Sequence, residues 1–268
     1  MNIRKPAVSG QFYPGNPNRL SDEIERLIDP RIEKKKAIGI VSPHAGYIYS
    51  GQVAGMVYSS AEIPGCVIIL GPNHTGYGPR ASIMDTGSWQ MPMGEVKIDQ
   101  ETAHTILQNS DIIQSDTAAQ MLEHSIEVQV PFLQYLKPDV KIVPIVLSGY
   151  NFSMCQSIAQ SIVNGIQSNN KDALIVASTD LTHYKSQTEA NKNDKKVIDK
   201  ILSLDAQGLL ELVIQEEISM CGVIPVTTML LAAKKLEAKK ATLVKYMTSG
   251  DVSGDFSNVV GYAGIIID

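Results

Sequence analysis

The segment Ile38–Gly51, IGIVSPHAGYIYSG, is predicted to join a buried strand to a turn and then to a helix. Its first four residues form an apolar run of the kind that a strand covered on both faces requires. Pro43 and Gly46 then flank His44, at the point where the chain leaves the strand. Small and apolar residues recur at helical spacing in Ser50–Ala61, which indicates a helix packed closely on a sheet.

The same alternation of apolar strands and helices continues along the chain. The pattern predicts strands at Ala37–Val41, Cys66–Leu70, Lys141–Leu147, Ala173–Ala177, Thr242–Thr248 and Val259–Ile267. It predicts helices at Asn16–Asp29, Ser50–Ala61, Asp99–Asn109, Leu122–Leu136, Phe152–Gln167, Thr188–Leu202, Ala206–Ile214 and Val223–Leu236. This order indicates an α/β fold, a three-layer α/β/α sandwich around a largely parallel central sheet, which the two late strands could make mixed. We expect residues 1–268 to form a single domain.

The composition is that of an ordinary globular protein. The 268 residues are 44% hydrophobic and 19% charged, and the net charge of −5 gives no electrostatic reason to expect nucleic acid or an anionic membrane as partner. There is no apolar run near the ~20 residues of a membrane span and no export signal at the N-terminus. Three widely spaced cysteines, Cys66, Cys155 and Cys221, are typical of a reducing compartment, so we expect a cytoplasmic protein.

Three histidines follow three of the predicted strands. His44 follows the strand that ends near Val41, His74 follows Cys66–Leu70, and His183 lies shortly after Ala173–Ala177. In an open α/β sheet, ligands bind beyond the carboxyl ends of the strands. Imidazole ligates metals and moves protons near neutral pH, so the sequence predicts a site at this edge.

Two further residues are candidates from their surroundings. His124 lies between Glu123 and Glu127, which on a helix would share a face and could orient it, although a solvated acidic helix face explains the pattern equally well. Cys221 precedes a predicted helix, where a thiolate is favoured and could act as a metal ligand or nucleophile. His104 is predicted to lie on a helix surface.

The sequence lacks the motifs of several common binding sites and enzyme classes. The sequence contains neither GxGxxG nor GxxxxGK[ST], so it predicts no dinucleotide or P-loop phosphate site. It also contains no GxSxG, no HExxH and no paired CxxC motif.

Six motifs in order resemble the Memo family over nearly the whole chain. They are PHAGYIYSG, ILGPNHTGYG, EHSIEVQVPFLQ, STDLTHY, CGVIP and the final SGD…VVGYAG. The Memo family is similar to class III extradiol dioxygenases, non-haem iron enzymes. The resemblance implies a metal held by His44, His74 and Cys221, with the cysteine in place of the dioxygenase glutamate. Two imidazoles and a thiolate suit iron or copper, and zinc is possible.

The resemblance also implies roles for the residues around that metal. His183 matches the position of a general base, Asp180 could hold its tautomer, and His124 matches a further pocket position. Bound substrate would be oriented by Tyr47, Asn73 and Asp251, although Asp251 could equally form a turn.

Two functions of different classes remain open at this point. The first is a metal-dependent redox or oxygenase-like enzyme that acts on an unidentified small molecule. The second is a non-catalytic binding or adaptor module that uses the same pocket for a peptide or a partner protein. Animal relatives resemble adaptors for phosphorylated peptide segments, and bacterial and archaeal relatives are linked with a radical-SAM pathway partner. A zinc hydrolase is a weaker third hypothesis.

Overall fold

A computed structural model describes residues 2–149 and 151–268, in which strands and helices alternate along the chain. Strands β1–β12 span Ile3–Arg4, Gly39–Ser42, Cys66–Pro72, Ala81–Ile83, Ser88–Met91, Gly94–Ile98, Gln114–Ser115, Lys141–Leu147, Ala173–Ser178, His183–Lys185, Ala241–Thr248 and Val259–Ile267. Helices α1–α10 span Pro17–Leu27, Tyr47–Ser59, Gln100–Gln108, Ala118–Met121, Val130–Leu136, Phe152–Ser168, Gln187–Leu202, Ala206–Gln215, Val223–Lys235 and Gly250–Ser253. One turn of 3-10 helix covers Glu127–Gln129.

Four parallel strands form the centre of the sheet, in the order β8-β3-β9-β2. Ile68 of β3 is aligned with Val143 of β8 on one side and with Ile175 of β9 on the other. Every residue of β2 and β3 is buried. Helices cover both faces of these strands, which explains why their sequences are continuous apolar runs rather than alternating ones.

The rest of the sheet is antiparallel in part, so the sheet is mixed. β12 runs antiparallel to both β2 and β11, and β5 and β6 form an antiparallel hairpin. The short β1 pairs in parallel with β5, which places Arg4 beside Trp89. The late strands β11 and β12 therefore make the sheet mixed, as their position after a run of helices predicted.

The helices form two layers, one on each face of the sheet. Gly39 of β2 lies against Met229 of α9, whereas Gly264 of β12, on the opposite face, lies against Val53 and Val57 of α2. Helices α1 and α5 pack with α2, and α3, α6 and α8 continue the layer of α9. The α/β/α sandwich predicted from the sequence is thus confirmed. Within the described residues, no helix combines the length and apolar character needed to cross a membrane.

The predicted helix at Leu122–Leu136 is wrong in its first half. Helix α4 ends at Met121, residues 122–126 are irregular, and α5 begins only at Val130. Arg4 binds the carbonyl oxygen of Glu123, and the Glu123 side chain turns back to accept the N–H of Ser125. These bonds replace the helical pattern, so Glu123 and Glu127 do not share a helix face.

Smaller differences concern helix starts and short strands. Asn16 caps α1, which begins at Pro17, since its side-chain oxygen accepts the N–H groups of Asn18 and Arg19. The β5–β6 hairpin was not predicted, because its strands are short and mix buried with exposed residues.

Candidate metal centre

His44 lies just beyond the end of β2, and its ring is fixed by β9. Its Nδ1 is 2.9 Å from the Oγ of Ser178, whose own hydrogen is donated to the carbonyl oxygen of Ser125 at 2.6 Å. Ser178 can therefore only accept from His44, so Nδ1 carries the proton and Nε2 presents a free lone pair. Burial, followed by the charges of the neighbouring histidines, lowers the pKa of His44 well below its usual value and keeps the ring neutral.

His74 lies just beyond the end of β3, and Glu123 holds it. One oxygen of the Glu123 carboxylate accepts the His74 N–H at 2.6 Å, and the other lies 2.9 Å from the ring Nδ1. Burial acts to raise the pKa of Glu123, but the bonds from His74 and from the Ser125 N–H outweigh it and lower the pKa to about 2. A carboxylate on Nδ1 leaves Nε2 free for a metal, an arrangement common at metal sites.

Cys221 reaches the two histidines from the segment before α9. Its Sγ lies 3.2 Å from His44 Nε2 and accepts the N–H of Asp180 at 3.3 Å. A side chain on Gly222 would collide with the carbonyl oxygen of Ser178, so only glycine lets this segment approach β9 so closely. Burial, together with the charge of Asp180, raises the pKa of the Cys221 thiol to about 12.

The ligand atoms of His44, His74 and Cys221 lie within 4.8 Å of one another. Both imidazoles present Nε2 because another group holds their Nδ1, and the thiol sulfur points at one of these nitrogens. This donor set fits a metal ion that accepts nitrogen and sulfur ligands, such as iron, copper or zinc. The residues predicted to bind metal are thus brought together.

His124 belongs to the same cluster of rings. It stacks on His74 with ring centroids 4.6 Å apart, and its ring edge meets His44 at 5.4 Å and Phe12 at 4.9 Å. Its Nδ1 is 3.6 Å from the Glu123 carboxylate, so His74, Glu123 and His124 form a second group of possible ligands. Burial lowers the pKa of His124, which favours its neutral form.

His183 begins β10, which pairs with β12, and its charge adds to burial and to the charges of His124 and His74 in lowering the pKa of His44. Its Nδ1 donates to the carbonyl oxygens of Leu181 and Ser219, each at 2.8 Å, so its Nε2 is free to accept a proton. These carbonyls, and not Asp180, fix the tautomer, which corrects the geometry expected for that pair. Asp180 instead accepts the N–H of His44 at 2.8 Å, and burial raises its pKa to about 6.

The three residues predicted to orient substrate have structural contacts of their own. The buried Tyr47 donates its hydroxyl to the carbonyl oxygen of Val128, and Asn73 shapes its loop by accepting the N–H of Gly76. Asp251 accepts the N–H of Thr248, the turn-forming role considered as its alternative. A contact between any of them and a substrate remains a prediction.

Glu123 orients a histidine, as one of the two interpretations of its segment predicts, but that histidine is His74, which the sequence did not indicate. The alternative, a solvated acidic helix face, is wrong, because Glu123 and Glu127 are 1% and 0% exposed. A signal was present, because two acidic residues and Gln129 interrupt an otherwise apolar stretch. Buried polar side chains are hydrogen-bonded, so such a stretch indicates partners elsewhere in the chain.

The fold and the site together define an α/β sandwich protein with a two-histidine, one-cysteine cluster suited to a metal. Residues 4–266 match the family described as Memo-like protein. A MEMO1 family protein of Methanopyrus kandleri is 40% identical over 277 residues, covering 98% of both chains. Another, of Methanosarcina mazei, is 42% identical over 270 residues and covers both chains completely, at 100%. The chain belongs to the Memo family.

A solved structure supports the fold alone. The crystal structure of an uncharacterized protein from Escherichia coli K12 has a TM-score of 0.55 to this chain at 14% sequence identity. It covers 86% of this chain and 100% of its own. At this identity the likeness shows a shared architecture and carries no information on activity.

Proposed function

We propose that this protein is a metal-dependent enzyme, redox or oxygenase-like, that acts on an unidentified small molecule. Two imidazole nitrogens and a thiol converge within 4.8 Å, and this observation supports the proposal most directly. Both imidazoles present a free Nε2, and the thiol can bind a metal after it loses one proton. A fourth histidine, His183, presents a free Nε2 nearby. Metal ligands beside a group that can exchange protons are the minimum that such chemistry requires.

His44, His74 and Cys221 would hold the metal, with iron or copper favoured and zinc possible. A thiolate and two imidazoles are softer than the two-histidine, one-carboxylate set of non-haem oxygenases, so ring cleavage as such is not part of the proposal. When bound, iron or copper would supply one-electron redox chemistry. The Cys221 thiol must stay reduced for this, which a cytoplasmic location would ensure.

The surrounding side chains would supply the proton chemistry and the positioning. His183 would accept or return a proton at Nε2, since its Nδ1–H is held by two carbonyl oxygens. Asp180 keeps the backbone of His44 in place and stays clear of His183 Nδ1. His124, stacked on His74, would limit the space on one side of the metal.

The second function, a binding module for a peptide or partner protein, is favoured by the apolar side chains near the site. Ile48 is 71% exposed and Tyr184 75%, and both lie within a few residues of His44 and His183. Contiguous exposed apolar side chains mark interaction surfaces, so a binding module would require these two side chains to form one patch. A radical-SAM pathway protein would be one such partner. If a peptide or protein stabilises the chain equally with and without metal, this function is supported over the enzymatic one.

Metal analysis of protein purified under anaerobic, reducing conditions tests the proposed enzyme. We expect wild-type protein to retain iron or copper, and the His74→Ala and Cys221→Ser variants to lose most of it because each removes a ligand. His104→Ala is the matched control, since His104 lies on α3 and pairs with Asp85. Equal metal content in all four proteins would contradict the proposal.

A further inference from the structure

Arg4 is a fully buried arginine that touches none of His44, His74 and Cys221. It is 0% exposed and lies in the two-residue strand β1 at the edge of the sheet. Its guanidinium carbon is 4.2 Å from the centre of the Trp89 ring. A buried cation is retained only when several groups compensate it, so its contacts indicate what it is for.

The Arg4 nitrogens bind three successive points of the segment 120–127. Nε donates to the carbonyl oxygen of Gln120 at 3.0 Å, one terminal nitrogen donates to the carbonyl oxygen of Glu123 at 2.7 Å, and the other pairs with the carboxylate of Glu127. The stretch between these points is the irregular one at 122–126. Ser125 also holds this stretch, since its hydroxyl donates to Pro72 and its carbonyl oxygen accepts from Ser178. Arg4 is the partner that fixes the carbonyl oxygen of Glu123.

Glu127 connects the same segment to more of the N-terminal chain. Its carboxylate accepts the N–H groups of Ala7 and Val8, at 2.7 Å and 3.1 Å, and the hydroxyl of Tyr13 at 2.5 Å. Four donors on one buried carboxylate fix its position firmly. The N-terminal residues 4–13 therefore form a support behind the segment that carries Glu123.

We infer that Arg4 is a positioning residue of the metal centre, acting through Glu123 on His74. The path has two contacts: Arg4 fixes the Glu123 backbone, and the Glu123 carboxylate fixes both the N–H and the Nδ1 of His74. If the Glu123 backbone shifts, Nδ1 loses its acceptor and His74 no longer presents Nε2 alone. The inference rests on the proposed metal-binding function for its purpose, but not for the contacts themselves.

Arg4→Lys is the sharpest variant. A lysine ammonium is a single nitrogen and can keep the pair with Glu127, but it cannot also reach the carbonyl oxygens of Gln120 and Glu123. We expect the Zn²⁺ dissociation constant, measured by chelator competition, to rise by about tenfold or more, the usual effect of losing support behind a ligand. The same substitution at the exposed Arg31 is the control and should leave the dissociation constant unchanged.

A second variant guards against a chain that fails to fold. Arg4→Met combined with Glu127→Gln removes both charges of the pair together, so no unpaired charge is left buried. The N–H groups of Ala7 and Val8 bond to different oxygens of Glu127, so the single glutamine oxygen keeps one of these two bonds. We expect the same loss of Zn²⁺ affinity as in Arg4→Lys.

Two readouts separate positioning from general destabilisation. In a Glu123→Ala background, Arg4→Lys should have no further effect on Zn²⁺ affinity, because the path is already broken; additive effects would overturn the inference. In the metal-free chain, ¹⁵N NMR should show His74 as a single Nδ1–H tautomer in wild type and as a mixture in Arg4→Lys.

The NMR readout also distinguishes this inference from the proposed function. If wild-type protein binds no Zn²⁺, iron or copper, the proposed function fails, while a tautomer change in Arg4→Lys still supports the positioning role. If a folded Arg4→Lys protein keeps the His74 tautomer and the wild-type dissociation constant, the inference is overturned even though the metal site stands.

Discussion

At His44 and His74, one hydrogen bond determines which ring nitrogen faces the cluster. Ser178 accepts from Nδ1 of His44 because its own proton is given to Ser125, and Glu123 accepts from Nδ1 of His74 because a carboxylate has no proton to give. The ligand state of each imidazole is therefore set in the metal-free chain. Cys221 is the exception, since its half-buried thiol must still lose a proton to bind a metal.

The proton of the Cys221 thiol should make metal affinity depend on pH. Because burial raises the pKa of Cys221 to about 12, the thiol stays protonated at ordinary pH and is released as metal binds. Metal affinity should then rise with pH, by about tenfold per pH unit between pH 7.5 and 9, as expected when binding releases one proton. Competition against a chelator of known affinity measures this slope for Zn²⁺.

Cys221→Ser is the control for the pH slope. It removes the thiol proton from the equilibrium, so its weaker Zn²⁺ binding should depend little on pH in the same range. A wild-type affinity that is flat above pH 7.5 would mean that the thiol does not bind the metal as a thiolate.

At the scale of elements, the site depends on loops brought together by strands β2, β3 and β9. The strand order β3-β9-β2 places the residues after each strand side by side, and the segment before α9 adds Cys221. Helix α2 starts at Tyr47, three residues after His44, and Gly51 and Gly55 of this helix lie against Leu27 at the end of α1. Close contact between α1 and α2 therefore fixes the body of the helix that follows His44.

A substitution at Gly55 tests the contact between α1 and α2. A Cβ at this position of α2 would lie 2.2 Å from the carbonyl oxygen of Leu27, a backbone atom at the end of α1. Gly55→Ala should lower the free energy of unfolding by roughly 1 to 3 kcal/mol, as overpacking does, despite the better helix propensity of alanine. Urea unfolding measures the change.

Gly65→Ala provides the comparison, since a Cβ there would meet no atom within 4 Å. Its free energy of unfolding should stay within about 0.5 kcal/mol of wild type. If the two variants are equally stable, the close packing of α1 on α2 is not as described.

Local sequence patterns predicted those elements that owe their structure to local causes. The apolar runs at Cys66–Leu70 and Lys141–Leu147 predicted buried strands, and both strands are present. The helix predicted over residues 122–126 is wrong because the shape of this segment depends on Arg4, more than a hundred residues away in the chain. No periodicity within the segment can indicate such a partner.

At the scale of the whole molecule, the position of the site could be predicted but its supports could not. The histidines after β2 and β3 follow from the rule for ligand sites in α/β sheets, and Cys221 followed from the resemblance to the Memo family. The roles of Glu123, Ser178 and residues 4–13 become visible only in the folded structure. The sandwich thus provides an edge where ligands meet, and long-range hydrogen bonds determine how they are presented.

A crystal structure of metal-loaded protein tests most directly whether His44, His74 and Cys221 bind one metal ion together. Anomalous diffraction is measured at the absorption edge of the metal. We expect one anomalous peak bonded to Nε2 of His44, Nε2 of His74 and Sγ of Cys221, with Nδ1 of His74 still on Glu123. A metal bound elsewhere, or held by the two histidines with the Cys221 thiol turned away, would contradict it.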